Sequence, residues 1–121
     1  MVLDKINLSR KFNLFSDYWS PKIVGELNDS YIKLAKLKGE FDWHHHENED
    51  ELFLVVKGQL IIKFRDKELS IGEGELVVIP KGMDHLPVAE EEVQVMLIEP
   101  KGTLNTGNVI TEKTKEKLDR I

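Results

Sequence analysis

Cysteine is absent from the 121 residues, which removes disulfides, thiolate nucleophiles and sulfur metal ligands together and agrees with a reducing compartment. Any metal must then be held by nitrogen and oxygen. No run approaches the roughly 18 apolar residues of a membrane-spanning helix, and the opening MVLDKINLS carries no apolar core like that of a secretory signal. A cytoplasmic protein without a membrane partner is the expectation, and the sequons at Asn7 and Asn28 are expected to stay unmodified. A basic excess is lacking too: 17 Lys and Arg face 22 Asp and Glu, a net charge of −5. With no basic stripe interleaved with aromatics, nucleic acid is excluded as a partner. The 40% hydrophobic and 32% charged content shows none of the apolar depletion of disordered chains. The length suits one domain, and there is neither an internal repeat nor a low-complexity segment.

What is present is a series of short extended runs. Asn7 can cap a short helix with Leu8, Phe12 and Phe15 on one face, expected to lid the core. Beyond Ser20-Pro21, residues 22–27 and 31–37 read as a hairpin around Asn28-Asp29. Further runs at 41–46, 51–56, 59–65, 67–71, 76–79, 84–88 and 93–99 are each bounded by Gly, Pro, Asn, Asp or clustered charge. Short strands at this spacing, with no helical pattern between them, indicate an all-β sandwich or barrel. Residues 101–108 read as a loop, and Thr111 can cap a last polar helix over 112–120, although Leu118 is nearly its only apolar residue. The expected division is a helix and strand over 1–30, a barrel core over 31–99, and a loop and helix over 100–121.

The four histidines fall in two places, WHHHENEDE at 43–51 and PKGMDH at 80–85. In an extended chain side chains alternate, so His44 and His46 point one way and His45 the other. The turn formers at 47–50 let the chain reverse, so that Glu51 can offer its carboxylate beside the two imidazoles. His85 would complete the set from a distant strand. Three imidazoles and one carboxylate suit Zn, Fe, Mn, Co, Ni or Cu, whereas Mg and Ca prefer oxygen throughout. An HxH beside acidic turn residues also describes a merely solvated loop, so the wider frame matters.

That frame is Gly39, His44-x-His46, Glu51 and Gly58, followed by Gly74, Pro80-x-Gly82 and His85. It resembles the two motifs of the cupin superfamily, G(x)5HxH(x)3-4E(x)6G and G(x)5PxG(x)2H(x)3N. Two positions depart: Gly39 is one residue nearer His44 than the pattern asks, and Ala89 stands where the family often has Asn. The resemblance spans about residues 31–99. It implies a jelly-roll β-barrel holding one divalent transition metal ion per chain through His44, His46, Glu51 and His85, with positions on the ion left open for water or substrate. Within the superfamily the chain is similar to small single-domain cupins, including phosphomannose-isomerase-like (mannose-6-phosphate isomerase-like) ones, a label of shape rather than of reaction. The implied function is a metal-dependent enzyme, of oxygenase or isomerase type, on a small oxygenated molecule such as a sugar, keto acid or aromatic. The alternative is a non-catalytic module that binds a small molecule or metal.

Around these ligands, Phe53 and Val55 share the parity of Glu51 and should form an apolar wall, while Trp43 shares the face of His45 and should pack. Glu47, Glu49 and Asp50 read as turn residues, and one of them can orient an imidazole. No inward acid or base besides the ligands can be named, and Asp84 is disfavoured as a partner of His85 because adjacent strand residues diverge. Thr103, Asn105, Thr106 and Asn108 carry no assigned chemistry. The runs at 52–56, 60–62, 76–79 and 95–98 are apolar on both faces. The N-terminal segment cannot cover all of them, so a homodimer is expected.

Overall fold

The computed structural model describes residues 3–121; the first two residues of the expected N-terminal unit lie outside this range. Seven strands follow one short helix: α1 Leu8–Phe12, β1 Lys22–Leu27, β2 Ser30–Glu40, β3 Glu51–Lys57, β4 Leu60–Phe64, β5 Glu68–Ile71, β6 Leu76–Ile79 and β7 His85–Pro100. All pairings are antiparallel, with β1, β2, β7, β3 and β6 side by side and β4 joining β5 to β7. This is the expected all-β architecture and is consistent with a cupin jelly roll. The hairpin turns at Asn28, whose φ is 51°, a left-handed conformation that Asn tolerates better than most residues.

β7 organises the barrel. Its first half pairs with β4 and the end of β2, and its second half lies between β2 and β3, so one 16-residue strand serves both ends of the sheet. The separate runs expected at 84–88 and 93–99 are thus one strand. Glu90, Glu91 and Glu92 resemble a break in sequence, but they stay extended with their side chains in solvent. Inward parity gathers Ala35, Leu37, Phe53, Val55, Val93, Val95 and Leu97 into one buried cluster with Leu60, Ile62 and Ile79. Gly58, at the β3–β4 turn, has φ 98° and only 3.1 Å between an added Cβ and the Glu92 carbonyl oxygen, so a larger residue there is both strained and crowded.

Three other expectations are corrected. Asn7 does cap α1, accepting from the Arg10 amide at 3.0 Å, but the helix ends at Phe12, leaving Phe15 beyond it. It lies on β2, where Leu34, of outward parity, is fully buried, so it covers the outside of the sheet and does not lid the core. Residues 41–46 are not a strand; His44 alone makes a bridge, to His85. No helix forms over 112–120, because a single apolar residue gives a helix no face to bury. Instead the tail runs beside β1: the Ile23 amide donates to Asp119 O at 2.9 Å and the Ile121 amide to Ile23 O at 3.0 Å. Among the described residues no helix is long and apolar enough to cross a membrane.

Candidate metal centre

The segment carrying His44, His45 and His46 lacks a strand's ladder, yet its backbone is held from three distant places. His44 and His85 exchange both backbone hydrogen bonds, at 3.1 and 2.9 Å. The His45 carbonyl accepts from the Asn108 amide at 2.9 Å, and the His45 amide donates to Asn108 Oδ1 at 2.9 Å. The His46 carbonyl accepts from the Gly82 amide at 2.7 Å. Side chains therefore alternate as on a strand: His44 and His46 are buried and His45 is turned outward.

His44, His46, Glu51 and His85 are each at most 3% exposed, and one ligand atom from each lies within 4.8 Å of all the others. Glu51 Oε1 is 3.4 Å from both His46 Nε2 and His85 Nε2. Two atoms each about 2.1 Å from one ion, at angles of about 90–110°, are separated by about 3.0–3.4 Å. His44 Nδ1 meets the Asp42 carbonyl at 2.8 Å and His85 Nδ1 the Met83 carbonyl at 2.9 Å. A carbonyl only accepts, so each Nδ1 carries the proton and each Nε2 presents a lone pair. His46 Nε2, Glu51 Oε1 and His85 Nε2 are buried without any hydrogen-bond partner. Buried polar atoms are ordinarily satisfied, and a cation among these would satisfy them all. The donor set fits a divalent transition metal.

Electrostatics agree with ligands kept free of protons. Burial, then the neighbouring His85, pushes the His44 ring down to about 4. Burial alone would raise the Glu51 carboxyl, but the adjacent Glu99 carboxyl and the His46 and His85 rings outweigh it and hold Glu51 well below the usual range.

Glu99 is the group that sequence reasoning missed. Only 2% exposed, it lies beside Glu51 in the cavity wall and accepts from Lys33 Nζ at 2.7 Å, a lysine buried as deeply. Burial and the Glu51 charge raise its carboxyl well above the usual range, against the pull of Lys33. The Lys33 bond suits either protonation state, since it uses Oε1 and leaves Oε2 without a partner. The signal was parity: Lys33 alternates with Ala35 and Leu37, and Glu99 with Leu97 and Val95, so both charges face inward.

The remaining candidates fall as follows. His45 is outward, its Nδ1 bonded to Asp84 at 2.8 Å and its Nε2 to Glu47, and both carboxylates raise its pKa. Asp84 thus serves His45 and not His85. Trp43 is stacked under the Arg65 guanidinium, 3.9 Å from the ring centroid. Phe53 and Val55 are buried inward, and Phe53 lines the cavity beside the ligands. Asp50 Oδ1 accepts from the Lys81 amide at 2.9 Å, tying the first motif's turn to the second's. Thr106 is fully buried, Asn105 lines the cavity and Asn108 holds His45, so the 103–108 loop builds the site's wall.

A family model described as Cupin domain matches residues 31–99. The chain is 49% identical to a cupin-2 domain containing protein from Shewanella frigidimarina, whose crystal structure superposes with a TM-score of 0.79 over 79% of this chain and 94% of that one. A Neisseria meningitidis protein of known structure is 32% identical, with a TM-score of 0.74 over 81% of this chain and all of its own. The Bacillus subtilis protein YdbB is 46% identical over 63 residues, 51% of this chain and 56% of that protein's length. With a family match over more than half its length and a seven-stranded barrel gathering three histidines and a glutamate, this chain belongs to the cupin family.

Proposed function

We propose that the protein binds one divalent transition metal ion through His44, His46, Glu51 and His85 and presents it to a small oxygenated ligand in the adjoining cavity, as a metal-dependent enzyme. The observation that supports this reading is the set of buried ligand atoms without partners, arranged at the spacing one ion requires. Bound there, the ion would act as a Lewis acid toward a ligand oxygen. The chain itself contributes orientation, through the Asp42 and Met83 carbonyls that fix the imidazoles. It also contributes a proton site, since Glu99 lines the same cavity with its Oε2 unpartnered and can hold or give up a proton. That carboxyl favours an enzyme over a purely binding module, because a module needs no acid or base beside its ligand.

Metal analysis of untagged protein tests the reading. One ion per chain is expected, His46→Ala and His85→Ala should each lose most of it, and His45→Ala should keep it because His45 is spent on Asp84 and Glu47. Metal near zero in several supplemented preparations, or equal losses from all three variants, would refute the site.

We further propose that two chains pair through the outer face of the sheet. Ile32, Ile98, Leu52 and Val78 stand in register across four strands, and Met96, Leu54 and Leu76 across three, next to the covered Leu34. All have outward parity, and Leu76 and Val78 are 57% and 50% exposed. An apolar strip of this kind is the usual material of a two-fold interface.

A further inference from the structure

The cavity beside the metal centre, lined at that end by His44, Glu51 and Glu99, has an empty volume, mouth included, of about 410 Å³. Most of its wall is Ala35, Leu37, Phe41, Phe53, Pro87 and Leu97, completed by Trp19, Pro21 and Asn105. Trp19 and Phe41 stack with centroids 4.7 Å apart and planes 20° apart, giving one side of the wall an aromatic surface. The few polar atoms away from the metal centre are already occupied. Trp19 Nε1 donates to the Lys38 carbonyl at 2.9 Å. Asn105 Nδ2 donates to the Lys113 carbonyl at 2.9 Å, and its Oδ1 accepts from the Lys115 amide at 2.8 Å. At the other end the cavity is lined by Glu51 and Glu99, whose Oε1 and Oε2 respectively have no partner, and the partnerless Nε2 atoms of His46 and His85 lie 3.4 Å from Glu51 Oε1.

Resting on the metal reading above, we infer that the ligand is a compact apolar molecule, aromatic or branched alkyl, carrying a single oxygen-rich head group such as an α-hydroxy or α-keto carboxylate. It is not a sugar. The head group meets the metal and Glu99, where the cavity's lining residues with a partnerless buried side-chain oxygen, Glu51 and Glu99, stand. The rest of the molecule meets carbon. A sugar would carry several hydroxyls into that wall, and each one buried without a partner weakens binding by roughly ten- to a hundredfold. A phenyl or branched alkyl group placed there gains from the same surface, since apolar burial and offset ring packing both favour it.

Mandelate and gluconate separate the two cases, because both are α-hydroxy acids and differ in a phenyl group against a four-hydroxyl chain. Both are titrated by calorimetry into the full-length protein, with metal content measured on the same sample. Trp19 emission, followed in a Trp43→Phe variant, reports whether the ligand reaches the Trp19 wall. Mandelate is expected to bind at least about tenfold more tightly than gluconate and to perturb Trp19 emission. A sample carrying one metal ion per chain that binds the two acids alike, binds gluconate better, or binds neither would overturn this inference and leave the metal reading standing. Metal near zero in several supplemented preparations, with neither acid bound, would overturn the metal reading, and this inference with it.

Discussion

Gly107 lies against the backbone carbonyl of His45 so closely that an added Cβ would fall far inside contact distance of that oxygen, and its φ is +59°. This residue sits in the loop after β7, 61 positions along the chain from His46 (107 − 46), yet it sets how near the loop can approach the ligand-bearing segment. Gly107→Ala should therefore push the Asn108 bonds off His45 and tilt His44 and His46 together. A stability loss of about 1–3 kcal/mol is expected from strain at this position, along with weaker metal binding although no ligand is touched. Chemical denaturation and metal titration of the variant check both.

Acid should release the metal at a pH below the ordinary imidazole range. His44 titrates near 4 where a free imidazole has a value of 6.5, so protons compete for it weakly. Release is expected at about pH 5–4 instead of the roughly pH 6–5 that unperturbed histidines would give. The metal-free protein should show the same group in its stability. A histidine with a depressed folded pKa contributes stability that is complete above pH 6.5 and is lost as pH falls through 4. Chelation at neutral pH should leave the fold intact, since the apolar cluster does not depend on the ion. Circular dichroism with and without chelator follows the fold, and metal release by dialysis follows the ion.

The buried Lys33–Glu99 pair should behave as a coupled unit. Glu99→Leu strands a lysine that is 1% exposed and should cost about 3–5 kcal/mol. Glu99→Gln keeps an acceptor for Lys33 and should cost less. The double replacement Lys33→Met with Glu99→Leu should recover most of the loss, because an apolar pair of similar volume avoids desolvating either charge. Urea unfolding of the wild type, Glu99→Leu, Lys33→Met and the double variant closes the cycle and gives the coupling energy.

The proposed dimer predicts a sedimenting species of about twice the 14.0 kDa chain mass at micromolar concentration. Leu76→Lys places a charge on the outer strip at a position already 57% exposed. It should yield a monomer that keeps its metal and its circular dichroism. A wild-type protein that sediments as a monomer would refute the pairing.

The sequence by itself determined whatever follows from neighbours in the chain. Alternation along β3 and β7, the turn at Asn28-Asp29 and the spacing of His44, His46, Glu51 and His85 were all legible, because strand parity and turn chemistry are local properties. Parity even placed His45 outward where no strand forms, since hydrogen bonds from His85, Asn108 and Gly82 keep that segment extended. Local patterns misled where they carried no packing information. The glutamates at 90–92 looked like a strand end, and 112–120 looked like a helix without having a face to bury. Only the tertiary structure decided that Lys33 meets Glu99 across 66 positions, that Asn105 and Asn108 from the last loop wall the site, and that the cavity's polar atoms gather at one end. Those contacts depend on how the barrel closes, which sums many weak burial terms over the whole chain, so no short stretch of residues encodes them.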